Sequence, residues 1–380
     1  MKTLLCTIAI IGLCVLPVLA AEEVKIDLSG SRVAAGYQDQ GKNGEANPGS
    51  FTVPDAKLQA TAKLAEDISA VIRLNFDNGV ANGADLAYIT VDNVGKKLAG
   101  DKTPVNPSIS VGVFKMNFGE ETFNNDPVNN ALVENSVTNP SGIDAGVQIK
   151  QDDLVPSLPL ILGATLGFFN GNNGAFGAGD TNNSKAWLFK ASGTMKNMPL
   201  YFAISDYGSN DIPNVAGSTT ALNIGQQTNP AVPGTSATWC RKVYQLDVRY
   251  DLLEGAAKFD PSKAPLWSDA KGVFRLAYGN CSDTGPAAGK PLTQAYIMID
   301  CIFNVDKKWY VAFRYSYDDY AISGLTGGPL GKYTNMSIGG GHRLSENTIL
   351  KLDLTTKAEP STIKPKIEND SINLILSTKW

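Results

Sequence analysis

The run SISVGVFKMNF at 108–118 and the run AGVQIKQ at 145–151 frame a polar stretch, 119–144. Each run alternates with the period of two expected of a strand that has one wet face and one oily face. The stretch between them is roughly 26 residues long. Loops beyond about 12–15 residues without structure of their own are uncommon, and are usually functional or disordered. This one carries Glu120, Glu121, Asp126 and Glu134, with asparagine pairs at 124–125 and 129–130. Asp126-Pro127 and the asparagines favour turns, which keep such a loop compact. The expectation is a β-barrel wall whose acidic loop folds into the lumen and narrows it, with 119–144 as the candidate constriction loop.

The same alternation extends in both directions. Ala56, Leu58, Ala60 and Ala62 interleave with Lys57, Gln59, Thr61 and Lys63. Trp309, Val311, Phe313, Tyr315 and Tyr317 lie opposite Ala312, Arg314 and Ser316. Strands are predicted at 24–37, 51–64, 68–76, 85–92, 108–118, 145–150, 158–169, 186–195, 200–207, 243–251, 273–280, 293–304, 309–318, 333–344, 349–357 and 370–380. That is about 16, an even number, with short and long connections alternating as bacterial outer-membrane barrels require. Both termini then fall on the periplasmic side. The stretch 158–169 is apolar on both faces, which suggests contact with another subunit or with the folded-in loop. The connection 252–271 is long for a periplasmic turn, and the pattern offers no reason for it.

A single alternating strand is weak evidence, since any half-buried sheet shows it. The combination with Trp309, Tyr315, Tyr317 and Trp380 near strand ends reads as a membrane-interface girdle. The fold class expected is therefore all-β, a transmembrane antiparallel barrel. Closure has a strict reason: in lipid every backbone N–H and C=O must be paired, and a closed barrel has no open edge.

The first 20 residues read as a secretory signal peptide. Lys2 gives the positive start, 4–16 the apolar core, and Val18-Leu19-Ala20 the cleavage site. The core is shorter than the roughly 20 residues a spanning helix needs. The expected organisation is 1–20 signal peptide and 21–380 barrel, multi-pass in the outer membrane of a Gram-negative type of cell. Mean hydropathy near zero is no objection, because lipid-facing and water-facing residues dilute one another. The 33 basic residues less Lys2 leave 32 against 37 acids, a net of −5. That balance argues against nucleic acid as a partner.

The segment VGVFKMNFGEETFNNDPVNNALVENS, returning through GIDAGVQIKQ, resembles the phosphate-selective porin O and P family. Gly112, Phe114, Lys115, Phe118, Gly119 and Glu121 match the strand end that leads into that family's constricting loop. Gly146 and Val147 match the returning strand, and the terminal aromatic Trp380 resembles the assembly signal of outer-membrane barrels. The motif covers about 45 residues. The resemblance implies a homotrimer of 16-stranded barrels and passive passage of small solutes. The long loop here is acidic and lacks that family's ladder of basic residues, so phosphate selectivity is not carried over.

By alternation, Arg73, Lys115, Arg249, Arg275 and Arg314 line the lumen, with Lys57, Lys190 and Lys351 on the same faces. If the first five share a wall at mid-height, they face the loop acids Glu120, Glu121 and Asp126. A transverse field would then orient dipolar solutes, because fixed charge at close range sets selectivity in a narrow pore. The plainer alternative is a set of lumen salt bridges that stabilise the wall. Cys240 ends one predicted outer loop and Cys281 begins the next, which makes them a candidate disulfide in a compartment that permits one. Cys301 falls on the oily face.

No cofactor motif or metal-ligand spacing is present. The single histidine, His342, points to lipid by parity, away from any lumen serine, so an enzyme is not expected. The reading is an outer-membrane porin, a water-filled channel for passive diffusion of small hydrophilic solutes and ions. Outer-membrane lipid and lipopolysaccharide would surround its outer face. The alternative is a surface-exposed structural barrel or adhesin, with a closed lumen and partner-binding loops, above all 208–240.

Overall fold

The computed structural model describes residues 25–40, 49–77, 83–100, 103, 105–138, 140–171, 184–213, 220–224, 238–255, 258–287, 290–322, 331–358 and 370–380. The expected signal peptide lies outside them. The described residues hold 18 strands. They are β1 (Lys25–Asp27), β2 (Arg32–Gln40), β3 (Ser50–Ala65), β4 (Ile68–Asn75), β5 (Gly83–Val91), β6 (Ser108–Lys115), β7 (Ser141–Gln151), β8 (Leu160–Phe169) and β9 (Ala186–Met195). Then follow β10 (Leu200–Pro213), β11 (Leu222–Asn223), β12 (Thr238–Leu252), β13 (Gly272–Ala287), β14 (Lys290–Asn304), β15 (Trp309–Ile322), β16 (Gly331–Arg343), β17 (Thr348–Ala358) and β18 (Ser371–Lys379).

Two of the 18 add nothing to the circumference. β1 continues β2 along the same partner strand, pairing Lys25 with Lys63 of β3, and β11 pairs inside with β7. The remaining 16 form one antiparallel ring. β10 pairs directly with β12, and β18 closes on β2 through Leu374 and Tyr37. The last residue completes the seam: Trp380 N–H donates to Ser31 O at 3.0 Å, and Gly30 N–H to Trp380 O at 2.7 Å. Wall strands of 8–16 residues bracket the roughly 9–11 that cross a bilayer when tilted.

The hydrophobic pattern is inverted relative to a soluble protein. Leu246, Ile299, Phe313, Ile338, Leu352, Leu374 and their equivalents on every wall face are exposed outward as an apolar band. The residues between them are buried and charged or polar, among them Arg275, Asp300, Arg314, Lys351, Asp353 and Asn373. The core is therefore the lumen, and its contents come from loops. No described helix is long and apolar enough to cross a membrane. The two described α-helices, α1 (Val94–Ala99) and α2 (Glu121–Asn124), are short connections.

Among the described residues, three segments fill the lumen. The first is 116–140, between β6 and β7. The second is 220–224, in which Thr220, Ala221, Leu222 and Ile224 are fully buried. The third is the connection between β12 and β13, whose Leu266 is fully buried. At the base of the first loop, the two motif glycines Gly112 and Gly146 are cross-strand partners. A Cβ on Gly112, whose φ is +133°, would lie 2.7 Å from Tyr88 Cα; one on Gly146 would lie 2.6 Å from Phe169 Cδ1. The missing side chains let Tyr88, Phe114 and Phe169 pack edge to face at 5.8 and 5.5 Å.

Candidate constriction and pore lining

The loop 116–140 leaves the β6 end of the wall and crosses the lumen between fixed points. Its start is held by β9, β10 and β12. Lys190 Nζ donates to Glu120 Oε1 at 2.7 Å and to Gly119 O at 3.1 Å. Tyr201 OH donates to the same Glu120 oxygen at 2.6 Å, and Gly119 N–H donates to Ser205 Oγ at 3.1 Å. Gly119 has φ +61°, and a Cβ there would lie 2.4 Å from Gln245 Nε2. Only glycine fits both the left-handed backbone and the close approach to the wall.

The tip is held by the far wall. Arg314 donates to Glu134 O at 2.9 Å and to Asn130 Oδ1 at 2.8 Å. Tyr310 OH donates to Ala131 O at 2.7 Å, and Lys351 Nζ to Asn130 O at 3.1 Å. Asp353 Oδ2 accepts the Val133 and Glu134 amides at 2.6 and 3.0 Å. Lys357 pairs with Glu134 at 3.3 Å. Polar groups that a barrel of this width would leave to water are thus spent on the loop backbone.

The three loop acids have different partners. Glu120 pairs with the wall through Lys190. Glu121 is buried and turns back into its own loop, accepting from Ser136 and from Thr138 Oγ1 at 3.2 Å. Asp126 caps the tip, where its Oδ1 accepts the Val128 and Asn129 amides at 3.0 Å each.

The five basic residues expected to share one wall are divided between two. Arg249, Arg275 and Arg314 lie on one register row of β12, β13 and β15, because Arg249 pairs with Arg275, Arg275 with Asp300, and Asp300 with Arg314. Arg73 is on β4, across the barrel. Lys115 ends β6 and donates to Asn125 of the loop at 2.9 Å. The arginines are also matched within the wall. Arg73 makes a two-pronged pair with Asp85 at 2.8 and 2.9 Å, and Arg249 with Asp251 at 2.7 and 2.8 Å. Arg275 and Arg314 share Asp300, the latter at 3.2 Å. Lys190–Glu120 and Lys357–Glu134 are pairs that reach from wall to loop.

Alternation could not find some of these partners. Asp85 is the extra residue of a bulge, since Arg73 pairs with Leu86 and Leu74 with Ala84. A bulge re-aims a side chain that strict period two would send outward. Around it Arg32, Asp55, Lys57, Asp77 and Asp85 form a charged cluster on β2–β5, with Arg32 to Asp55 at 2.5 Å and Lys57 bonded to Asp77. The inward turn at 220–224 gave no signal either. Its Leu222 carbonyl accepts from Arg241 at 3.0 Å, and Arg241 makes a fully buried pair with Asp283 at 2.8 Å. Leu222 and Ile224 pack on Met116, Phe118, Val243 and Tyr296.

The candidate disulfide is not formed. Cys240 pairs with Thr284 and Cys281 with Val243, so the two are three residues apart along the ladder. Their parities differ as well: Cys281 is buried on the lumen side and Cys240 faces out. Both are free, as is Cys301. His342 stacks on the exposed Trp309 at 4.2 Å between centroids, on the outer face. Among the described residues no cluster of His, Cys, Asp and Glu is arranged to hold a metal ion.

Between the first half of the loop and the β5–β10 wall lies a cavity of about 490 Å³. Tyr88, Phe114, Lys115, Glu120, Lys190 and Tyr201 line it, and Lys150 and Asp152, also in its lining, pair at 3.0 Å.

No family model matches this sequence, and no curated protein matches it. Solved structures do. The outer-membrane channel DcaP of Acinetobacter baumannii superposes with a TM-score of 0.61 at 9% identity, over 94% of this chain and 97% of that one. OmpT of Vibrio cholerae gives 0.58 at 9%, over 95% and 99%. The anion-selective porin of Comamonas acidovorans gives 0.56 at 10%, over 94% and 100%. The chain folds as a porin-like barrel. That barrel is the multi-pass, outer-membrane type, with its apolar band in lipid and its charges within.

Proposed function

We propose that this porin-like barrel is a channel for passive diffusion of small hydrophilic solutes and ions across the outer membrane, with 119–144 as its constriction. One observation carries the reading: a loop held at both ends by wall hydrogen bonds crosses a polar lumen and leaves a charge-lined cavity beside it. The lining charges of that cavity occur largely as close opposite pairs, Lys190 with Glu120 and Lys150 with Asp152. Paired charges present dipoles rather than a single sign, which suits dipolar hydrophilic solutes. Lys115 lines the same space, Arg73 and Asp126 act beyond it, and Arg249, Arg275 and Arg314 act as the frame that fixes the loop.

The motif at 112–121 and 146–147 supports kinship with the phosphate-selective porin O and P family, and with it a homotrimer in lipid and lipopolysaccharide. The outer loops remain the adhesin alternative, but 220–224 of the longest one is spent inside the lumen. Purified protein in planar bilayers tests the channel. Stepwise single-channel conductance is expected; a silent bilayer with folded, heat-modifiable protein would overturn the reading.

A further inference from the structure

The connection between β12 and β13 is too long for its side of the barrel, and its described residues 258–271 do not hang into the periplasm. They fold up into the mouth. Trp267 donates its indole N–H to Val128 O of the constriction-loop tip at 3.1 Å. Leu266 and Ala270 pack with Ala131 and Leu132 of that tip, and with Val273, Ile302, Tyr310 and Ile349 of the wall. Arg343 donates to Leu266 O at 2.6 Å and to Asn304 Oδ1 at 2.7 Å. Arg343 and Lys379 both lie over the Trp267 ring, at 5.8 and 5.0 Å. On the other flank Arg249 donates to Lys263 O at 2.7 Å and sits 5.6 Å from the Phe259 ring. Ser268 Oγ donates to Asp251 at 2.6 Å.

We infer that 258–271 is a periplasmic plug, anchored by Trp267 beneath the constriction loop, which closes the β12–β18 half of the lumen and confines passage to the β5–β10 side. No buried residue of the apolar cluster under the loop tip is more than 2% exposed. The cavity of about 490 Å³ lies on the opposite side, and the plug supplies part of its rim through Pro261, Ser262 and Lys263. The rim is ordered by its own charges. Ser262 holds the Asp260 carboxyl below the ordinary range, and Asp269 raises the Lys263 ammonium. The cation–π and indole contacts tie the plug to two strands and the loop at once, so it sets which side the loop leaves open. The assignment of a passage side rests on the channel reading; the plug itself does not.

Two experiments separate them. In a Cys240→Ser, Cys281→Ser, Cys301→Ser background, Leu266→Cys is compared with Leu98→Cys, a site 82% exposed on the β5–β6 connection at the same end of the barrel. A membrane-impermeant maleimide given from the periplasmic face should label Leu266→Cys about tenfold or more slowly, because a buried thiol reacts only after local opening. Equal rates overturn the plug. In bilayers, replacing 256–270 with a two-residue turn should roughly double single-channel conductance as the closed half fills with water, and Trp267→Ala should raise it in the same direction. Wild-type conductance in both variants overturns the one-sided passage. A silent wild-type protein overturns the channel reading alone, and the labelling rates then still decide the plug.

Discussion

Arg73 and Arg275 stand on opposite walls of the barrel, on β4 and β13, eight strands apart around the ring of 16. Each is neutralised where it stands, Arg73 by Asp85 of the next strand and Arg275 by Asp300 of the next strand. The lumen is therefore built as two separately balanced faces with a loop slung between them. The β12–β18 face holds the loop tip by hydrogen bonds, and the β2–β5 face stays across the gap from Asp126. Charge here does two different jobs, framing the wall and facing the gap.

Asp300 is fully buried and is shared by Arg275 and Arg314. Replacing it by alanine leaves two buried guanidinium groups short of an anion. Breaking a buried pair costs about 3–5 kcal/mol. Asp300→Ala should lose stability of that order in urea unfolding from lipid vesicles, and Asp300→Asn, which keeps an acceptor, should lose less. An unchanged unfolding midpoint would remove the frame role.

Neutralising Glu120, Glu121 and Asp126 together, to Gln, Gln and Asn, should shift reversal potentials in a salt gradient towards anions. Asp126→Asn alone should carry much of the shift, because Glu120 is matched by Lys190 and Glu121 is buried within its own loop. Glu121→Gln alone should leave selectivity nearly unchanged, since that carboxylate is buried against Ser136 and Thr138. A triple variant with the wild-type reversal potential would count against the constriction.

Gly119→Ala forces a side chain into a left-handed backbone, which costs about 1–2 kcal/mol, and pushes its Cβ into Gln245. The barrel should still assemble and remain heat-modifiable. The loop should lose its first anchor, seen as noisier single-channel current and faster proteolysis within 119–144. A variant indistinguishable from wild type would mean the loop tolerates another path.

All three barrel cysteines should be free. Alkylation in denaturant without reductant, followed by mass spectrometry, should modify Cys240, Cys281 and Cys301 alike. Protection of Cys240 and Cys281 until a reductant is added would restore the bridge.

Ile338 is 61% exposed on the outer face and Ser337, beside it, is buried in the lumen. Ile338→Arg should cost about 2–4 kcal/mol if the site is near the bilayer midplane. Ile338→Val should cost little. Folding yields into vesicles would compare the two, and equal yields would place that face outside lipid.

The strand pattern was legible because the wall is periodic and local. Each alternating run names its own inward and outward residues, so all 16 wall strands and the identities of Arg249, Arg275, Arg314 and Lys190 as inward groups follow from parity. The acidic length of 119–144 likewise announced an inward loop. The partners were not legible. Asp85 turns in only because a bulge adds one residue, and Cys240 and Cys281 look close only until the register places them on opposite faces.

What the amino-acid order determined by itself was the cylinder: which side of each strand meets hydrocarbon, how many strands close it, and where a loop is too long to be a turn. What the tertiary structure alone decided was the content of the lumen. The inward turn at 220–224 and the connector under Trp267 meet the constriction loop across more than a hundred residues of sequence. Contacts of that separation carry no local period. They arise because a closed barrel brings distant loops into one confined volume, where buried polar groups must find partners or remain costly.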